Sequence, residues 1–323
     1  FLTEVAHFDY SPPLLGIIEH VDRVENRTVL ATLQTFMRNQ GDAWTWTLEA
    51  LKRILETAAL TPGQDDRAGH DEFATYVPQM RRLGLRTAGM HQALAAPTAD
   101  PAFAAEALTF DDVREIADTA AILAKRAFAR LRTIAASGGK HAGAERLLAR
   151  QQDCFNLIGK LVQKPQGAIK IRIHGDYRLG RLLIVKDDVM IVDFGEGRSI
   201  SPDQRRAKSS PLCDVAMMLR SFAHVVAAAK RDLARLVPGA TVAAARLREQ
   251  LVEFSQIFIQ AYMEAVRDSP IWIEDKGTRM RLLVLYLLTE ALQEIENEEE
   301  KRADWIDTSI DGVNAILDRM ANV

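Results

Sequence analysis

Cysteine is nearly absent from this chain: Cys154 and Cys213 are the only two in 323 residues, far apart and with no histidine at metal-ligand spacing. Neither a disulfide framework nor a zinc site can be read from them, and a reducing, cytoplasmic setting is expected. An excess of one charge is missing too. With 41 basic against 44 acidic side chains and a formal net charge of -3, there is no overall field to draw in nucleic acid or an anionic membrane surface, so neither is expected as a partner. No uninterrupted apolar run approaches the roughly 18 to 20 residues that cross a bilayer. The start, Phe1-Leu2-Thr3-Glu4, lacks the basic flank and apolar core of a signal peptide. Internal repeats, sustained heptads and low-complexity tracts are also lacking. What is present is a 48% hydrophobic content, enough to bury one or two sizeable cores. Because the chain opens on Phe1 rather than Met, an N-terminal truncation is expected.

Residues Thr28 to Phe36 carry the β-branched and apolar Val29, Leu30, Thr32, Leu33 and Thr35 between turn-prone flanks, and read as a strand. From Trp44 the pattern becomes helical. Val113, Ile116, Ala120, Leu123, Ala127, Leu131 and Ile134 recur every three or four residues, with Thr109 and Asp112 as a capping box just before them. Similar periodicity marks about 144 to 163, 212 to 233, 242 to 267, 279 to 298 and 308 to 320, while Ala93 to Ala105, with Pro97 and Pro101, reads as an inter-helix loop. One interruption breaks the helical run. Ile171 and Ile173 alternate with basic residues, and Leu182 to Val185 and Val189 to Val192 flank Lys186-Asp187-Asp188, a pattern of strand, loop, strand, turn, strand.

The interruption holds His174-Gly175-Asp176 and Asp193-Phe194-Gly195. Two carboxylates are thereby delivered to neighbouring strand ends. Phosphoryl transfer needs one carboxylate to orient and deprotonate the attacking hydroxyl and a second to hold the magnesium that bridges the phosphates. Asp176 suits the first role and Asp193 the second, with Gly175 allowing a tight backbone before the base. Each tripeptide alone is equally well a turn or the polar end of a strand; the two together, with a hairpin between, are more specific.

These segments resemble the maltokinase family, within the aminoglycoside-phosphotransferase-like kinases that share the protein-kinase fold. The resemblance rests on Asn39-Gln40-Gly41-Asp42-Ala43-Trp44, on Ile173 to Leu179, on Arg205 to Leu212, on Asp214-Val215-Ala216 and on Met218 to Phe222. It implies an α+β, protein-kinase-like fold: an N-terminally truncated small lobe and hinge over residues 1–43, and a mainly helical large lobe over 44–323 with an embedded β-hairpin. It also implies ATP and Mg2+, with Asp176 as catalytic base, Asp193 and the shifted Glu196 on the metal, and Gln40 and Asp42 beside the adenine. The sugar would be met by His174, Glu294, Glu298, Asp304 and Trp305. Asp214 would tie its helix to the catalytic loop.

The implied reaction is transfer from ATP to a sugar, maltose giving maltose 1-phosphate, and trehalose synthase is the implied fusion partner. The family's phosphate-covering loop and strand lysine would lie before Phe1.

The chain departs from the pattern. Arg181 stands where the family has a metal-binding glutamine, and Arg178 where it has a histidine. A guanidinium has five donors and no acceptor, so it cannot ligate a cation. Gln293 and Asn297 replace tyrosines of the sugar-binding helix, and Glu290 a lysine. Trp305 is open to two readings, an aromatic face for a sugar ring or a core anchor. Two further functions stay open: a catalytically impaired module that binds a protein partner, and a kinase for a cationic sugar such as glucosamine.

Overall fold

Apolar residues at helical spacing build most of this molecule, and the computed structural model describes all of it except residues 61–66, 139–140, 142, 195–205, 237–240, 298–302 and 322–323. The elements are β1 (Leu14–Val21), β2 (Arg27–Gln34), α1 (Ala43–Leu60), α2 (Arg67–Leu94), β3 (Glu106–Ala107), α3 (Phe110–Ala136), α4 (Ala144–Ala149), α5 (Gln151–Leu161) and β4 (Ile169–Lys170). A 3-10 turn over Leu179–Arg181 leads into β5 (Leu182–Val185) and β6 (Asp188–Ile191). Four helices follow: α6 (Leu212–Leu236), α7 (Thr241–Val266), α8 (Lys276–Asn297) and α9 (Ala303–Met320). This is the mixed, mainly helical α+β architecture expected, with small two-stranded sheets.

Helix α6 is the central strut. It packs against α1, α7, α8 and α9, burying Val215, Ala216, Met218, Phe222, Val225 and Ala229. Its Leu212–Arg235 stretch has the length and hydropathy of a membrane span, yet 78% of that window is buried inside the fold, as befits a core helix wrapped by others. Helix α3 lies against α8 and opens on the expected capping box. There the Thr109 N–H donates to Asp112 Oδ2 at 2.7 Å, and the Asp112 N–H to Thr109 Oγ1 at 3.2 Å.

The β5–β6 hairpin pairs Leu182 with Ile191 and Val185 with Asp188. It is fastened on both edges. The Gln40 N–H donates to the Ile184 carbonyl at 2.8 Å and the Ile184 N–H to Gly41 O at 2.9 Å, while the Ile191 N–H reaches the Tyr10 carbonyl at 2.7 Å. At its tip Asp188 takes two hydrogen bonds from Arg86 of α2.

Two readings from sequence are corrected here. The periodicity at 144 to 163 is two helices, α4 and α5, broken at Arg150. The strand expected through Ile171 and Ile173 is only the two-residue β4, paired with β3, plus an isolated bridge from Ile171 to Ser209. Beyond that bridge the backbone N–H groups of His174 and Gly175 are taken by a buried side chain instead of a ladder.

Candidate active site

That buried side chain is Asp214, on the first turn of α6, with no exposed surface. Its Oδ2 accepts from the His174 N–H at 2.8 Å and its Oδ1 from the Gly175 N–H at 3.0 Å. His91 of α2 donates from Nε2 to the same carboxylate at 3.1 Å and meets the Tyr262 hydroxyl through Nδ1 at 3.0 Å. Burial works to raise the Asp214 pKa, but the interaction with His91 and the Gly175 N–H outweigh it and hold the carboxyl below its ordinary value. Asp214 therefore ties its helix to the loop carrying His174, Gly175 and Asp176, the tie the resemblance implied. His91 carries no local sequence signal and was not foreseen.

Gly175 turns the chain at φ +81°, and a Cβ built there meets nothing within 4 Å. The demand for glycine is thus one of backbone conformation rather than of crowding. His174, expected at the sugar, is turned inward and is 1% exposed. Its Nε2 donates to the Val192 carbonyl at 2.9 Å and its Nδ1 accepts from the Asp176 N–H at 3.3 Å. The ring is therefore neutral, and burial lowers its pKa. It holds the loop carrying Asp176 to the strand leading into Asp193.

Asp193 adopts a left-handed conformation, φ +61°, which aspartate tolerates better than most side chains. The turn brings its carboxylate to within one guanidinium of Asp176. Arg181 donates from Nε and Nη2 to Asp176 Oδ2 at 2.9 and 2.8 Å, and from Nη1 to Asp193 Oδ2 at 2.8 Å. Arg178 adds Nη2 at 3.3 Å from the same Asp176 oxygen. Burial opposes the Arg181 charge, but the hydrogen bond and charge of Asp176, and then those of Asp193, hold its pKa above the ordinary value. The two acids do converge, as the sequence required; the arginine joining them was visible only as a departure from a motif.

A divalent ion does not fit this arrangement. The guanidinium lies between the oxygens that would grip it, and among the described residues no group of three His, Cys, Asp or Glu side chains is placed to hold a metal. Glu196, the other expected metal ligand, lies outside the described residues.

The remaining candidates have partners of their own. Gln40 reaches β5 through its backbone and receives the Lys186 N–H on Oε1 at 3.1 Å. Asp42 caps α1, taking the Thr45 N–H at 2.9 Å. Glu294 of α8 accepts from Arg220 Nε of α6 at 3.0 Å and Ser309 Oγ of α9 at 2.8 Å, with His224 Nε2 at 3.1 Å. These contacts account for its carboxylate without a sugar. Trp305 stacks on Trp44 at 5.4 Å and on His224 at 5.2 Å between ring centroids, with Arg231 5.1 Å from its ring. Glu298 and the Asp304 side chain lie outside the described residues.

No family model matches the chain. It is 29% identical over 200 residues to a glucosamine kinase of Mycolicibacterium smegmatis, covering 61% of this chain and 43% of that protein. A glucosamine kinase of Streptacidiphilus jiangxiensis is likewise 29% identical, over 201 residues, 61% of this chain and 39% of that one. The chain thus spans about two-fifths of the length of these curated relatives.

Among solved structures, a glucosamine kinase in complex with glucosamine, ADP and inorganic phosphate superposes with a TM-score of 0.76 at 19% identity, over 99% of this chain and 71% of that one. A second crystal form of glucosamine kinase gives 0.74 at 19% identity, over 99% and 68%. The fold is shared with these kinases, and none of the four bears the maltokinase name.

Proposed function

We propose that this chain is the hydroxyl-activating part of an ATP-dependent sugar kinase, with an amino sugar of the glucosamine class as acceptor ahead of maltose. The observation that carries the reading is the convergence of Asp176 and Asp193 at the ends of a loop and a hairpin, beside the Gln40–Asp42 segment that would flank the adenine. Residues 1–43 would form the hinge side of a small lobe and 44–323 the acceptor lobe. Arg178 and Arg181 gather on Asp176 Oδ2, so Oδ1 is the atom that would take the proton of the attacking hydroxyl as its oxygen bonds to the γ-phosphorus and ADP departs. The positive charge facing the transferred group would come from the two arginines.

The acceptor preference is supported by the names of the relatives and by the sequence changes at the implied sugar helix, Gln293 and Asn297 for tyrosines and the added acids Glu290 and Glu300, which would favour an ammonium over a neutral hydroxyl. Steady-state phosphorylation of glucosamine and maltose tests it. Glucosamine is expected to show at least about tenfold higher kcat/KM, a difference of roughly 1.4 kcal/mol at the transition state. Equal or better turnover of maltose rejects the amino-sugar acceptor, and no turnover of any sugar rejects the kinase. A second reading, a module that holds a partner such as trehalose synthase, is favoured by the occupied acid pair; nucleotide binding measured by calorimetry would count against it.

A further inference from the structure

We infer that Arg181 is the resident cation of this site: it occupies the position between Asp176 and Asp193 that a divalent ion would need, and excludes the ion from that pair. The inference deepens the kinase reading, and its test requires neither sugar nor nucleotide.

The guanidinium is built into place. Arg181 ends the 3-10 turn over Leu179–Arg181, where its N–H donates to the Arg178 carbonyl at 2.8 Å and its own carbonyl receives the Val192 N–H at 3.0 Å. Those two hydrogen bonds set its backbone beside the residue preceding Asp193. From there the side chain, 15% exposed, spans the two carboxylates with three hydrogen bonds of 2.8 to 2.9 Å. Asp176 is 11% exposed at its side chain and Asp193 40%. One of the pair's two negative charges is thus offset from the protected side, while the open side belongs to Asp193.

Opposite charge satisfied by a fixed planar fork at hydrogen-bond distance, with the Asp176 side of the pair largely shielded from water, is a strong competitor for a weakly held ion. A metal entering the pair would have to displace the guanidinium and lie against it, and like charges at that separation repel. Removing the guanidinium would leave two carboxylates facing each other across the gap. Only Arg178, 3.3 Å from Asp176 Oδ2, would remain beside them, and the gap would be open to a divalent ion.

The test is Mn2+ binding followed by water-proton relaxation, on the wild-type chain, Arg181→Gln and Arg181→Asn, each also with Asp193→Asn. Glutamine and asparagine keep a polar side chain with an acceptor and remove the charge, and two variants guard against one failing to fold. The expected result is weak or no saturable binding to wild type, unchanged by Asp193→Asn. A site at least fivefold tighter should appear in either arginine variant and be lost again on adding Asp193→Asn. A gain below fivefold overturns the inference, as does wild-type binding that Asp193→Asn abolishes. Failure of the kinase reading would show separately, as the lack of sugar phosphorylation.

Discussion

At Asp176 and its neighbours, function depends on which polar atoms the fold leaves open. His174 shows this most plainly: its residue type invites a substrate contact, yet both ring nitrogens are used by backbone groups. Because burial keeps its pKa below the ordinary 6.5, the unfolded chain binds the proton that the native chain refuses. Stability therefore falls as pH drops through about 6.5, and His174 contributes no pH dependence well above it. Urea midpoints should decline between pH 7.5 and 5.5 in the wild type. His174→Gln should lower the midpoint at pH 7.5 and shrink that decline; an undiminished decline would contradict the neutral, buried ring.

Acid positions were legible at this scale because two acidic tripeptides with a hairpin between them leave a pattern in the sequence, although Asp176 follows a loop and not the expected strand. Bridging by Arg181 was not legible, since no local rule says which way a side chain five residues on will reach.

Elements were legible where one face is apolar and the ends are marked. Helix α3 has both its stripe and its capping box, and it runs Phe110–Ala136. Helix α2 was not read, because Pro78, Gly84 and Gly89 interrupt it and two members of its buried stripe, Thr87 and His91, are polar. Those two are satisfied internally, Thr87 by the Leu83 carbonyl at 2.7 Å and His91 by Asp214. Strand β1 was missed as well; Glu19 and His20 dilute its apolar pattern.

The close approach of α2 to α7 has a testable consequence. A Cβ on Gly84 would lie 2.6 Å from the Phe258 carbonyl oxygen and 3.0 Å from the Tyr262 nitrogen, both backbone atoms. Overpacking of this kind costs about 1–3 kcal/mol, against a gain of about 1 kcal/mol in helix propensity. Gly84→Ala should therefore lower the urea midpoint, whereas Gly89→Ala, whose Cβ would only touch the Phe8 ring at 3.6 Å, should hold or raise it.

Over the whole molecule, the buried core is concentrated in the helical body. The β1–β2 hairpin leaves Leu15, Ile18, Leu30 and Leu33 more than 60% exposed, and a lone two-stranded ribbon adds little stability by itself. Its strands were half legible, and its lack of burial was invisible to pattern alone, since apolar β-branched residues normally signal a packed face. The fold shared with the solved glucosamine kinases was anticipated from a few residues around Asp176 and Asp193, whereas the acceptor was not, because Glu294 and Trp305 are engaged by their own neighbours.

The central claim, that Asp176 is the base that prepares a sugar hydroxyl for phosphoryl transfer, is tested most directly by comparing kcat of wild type and Asp176→Asn with ATP and glucosamine, circular dichroism verifying that both are folded. A fall of about 100-fold or more is predicted; a folded Asp176→Asn protein turning over at the wild-type rate would contradict it.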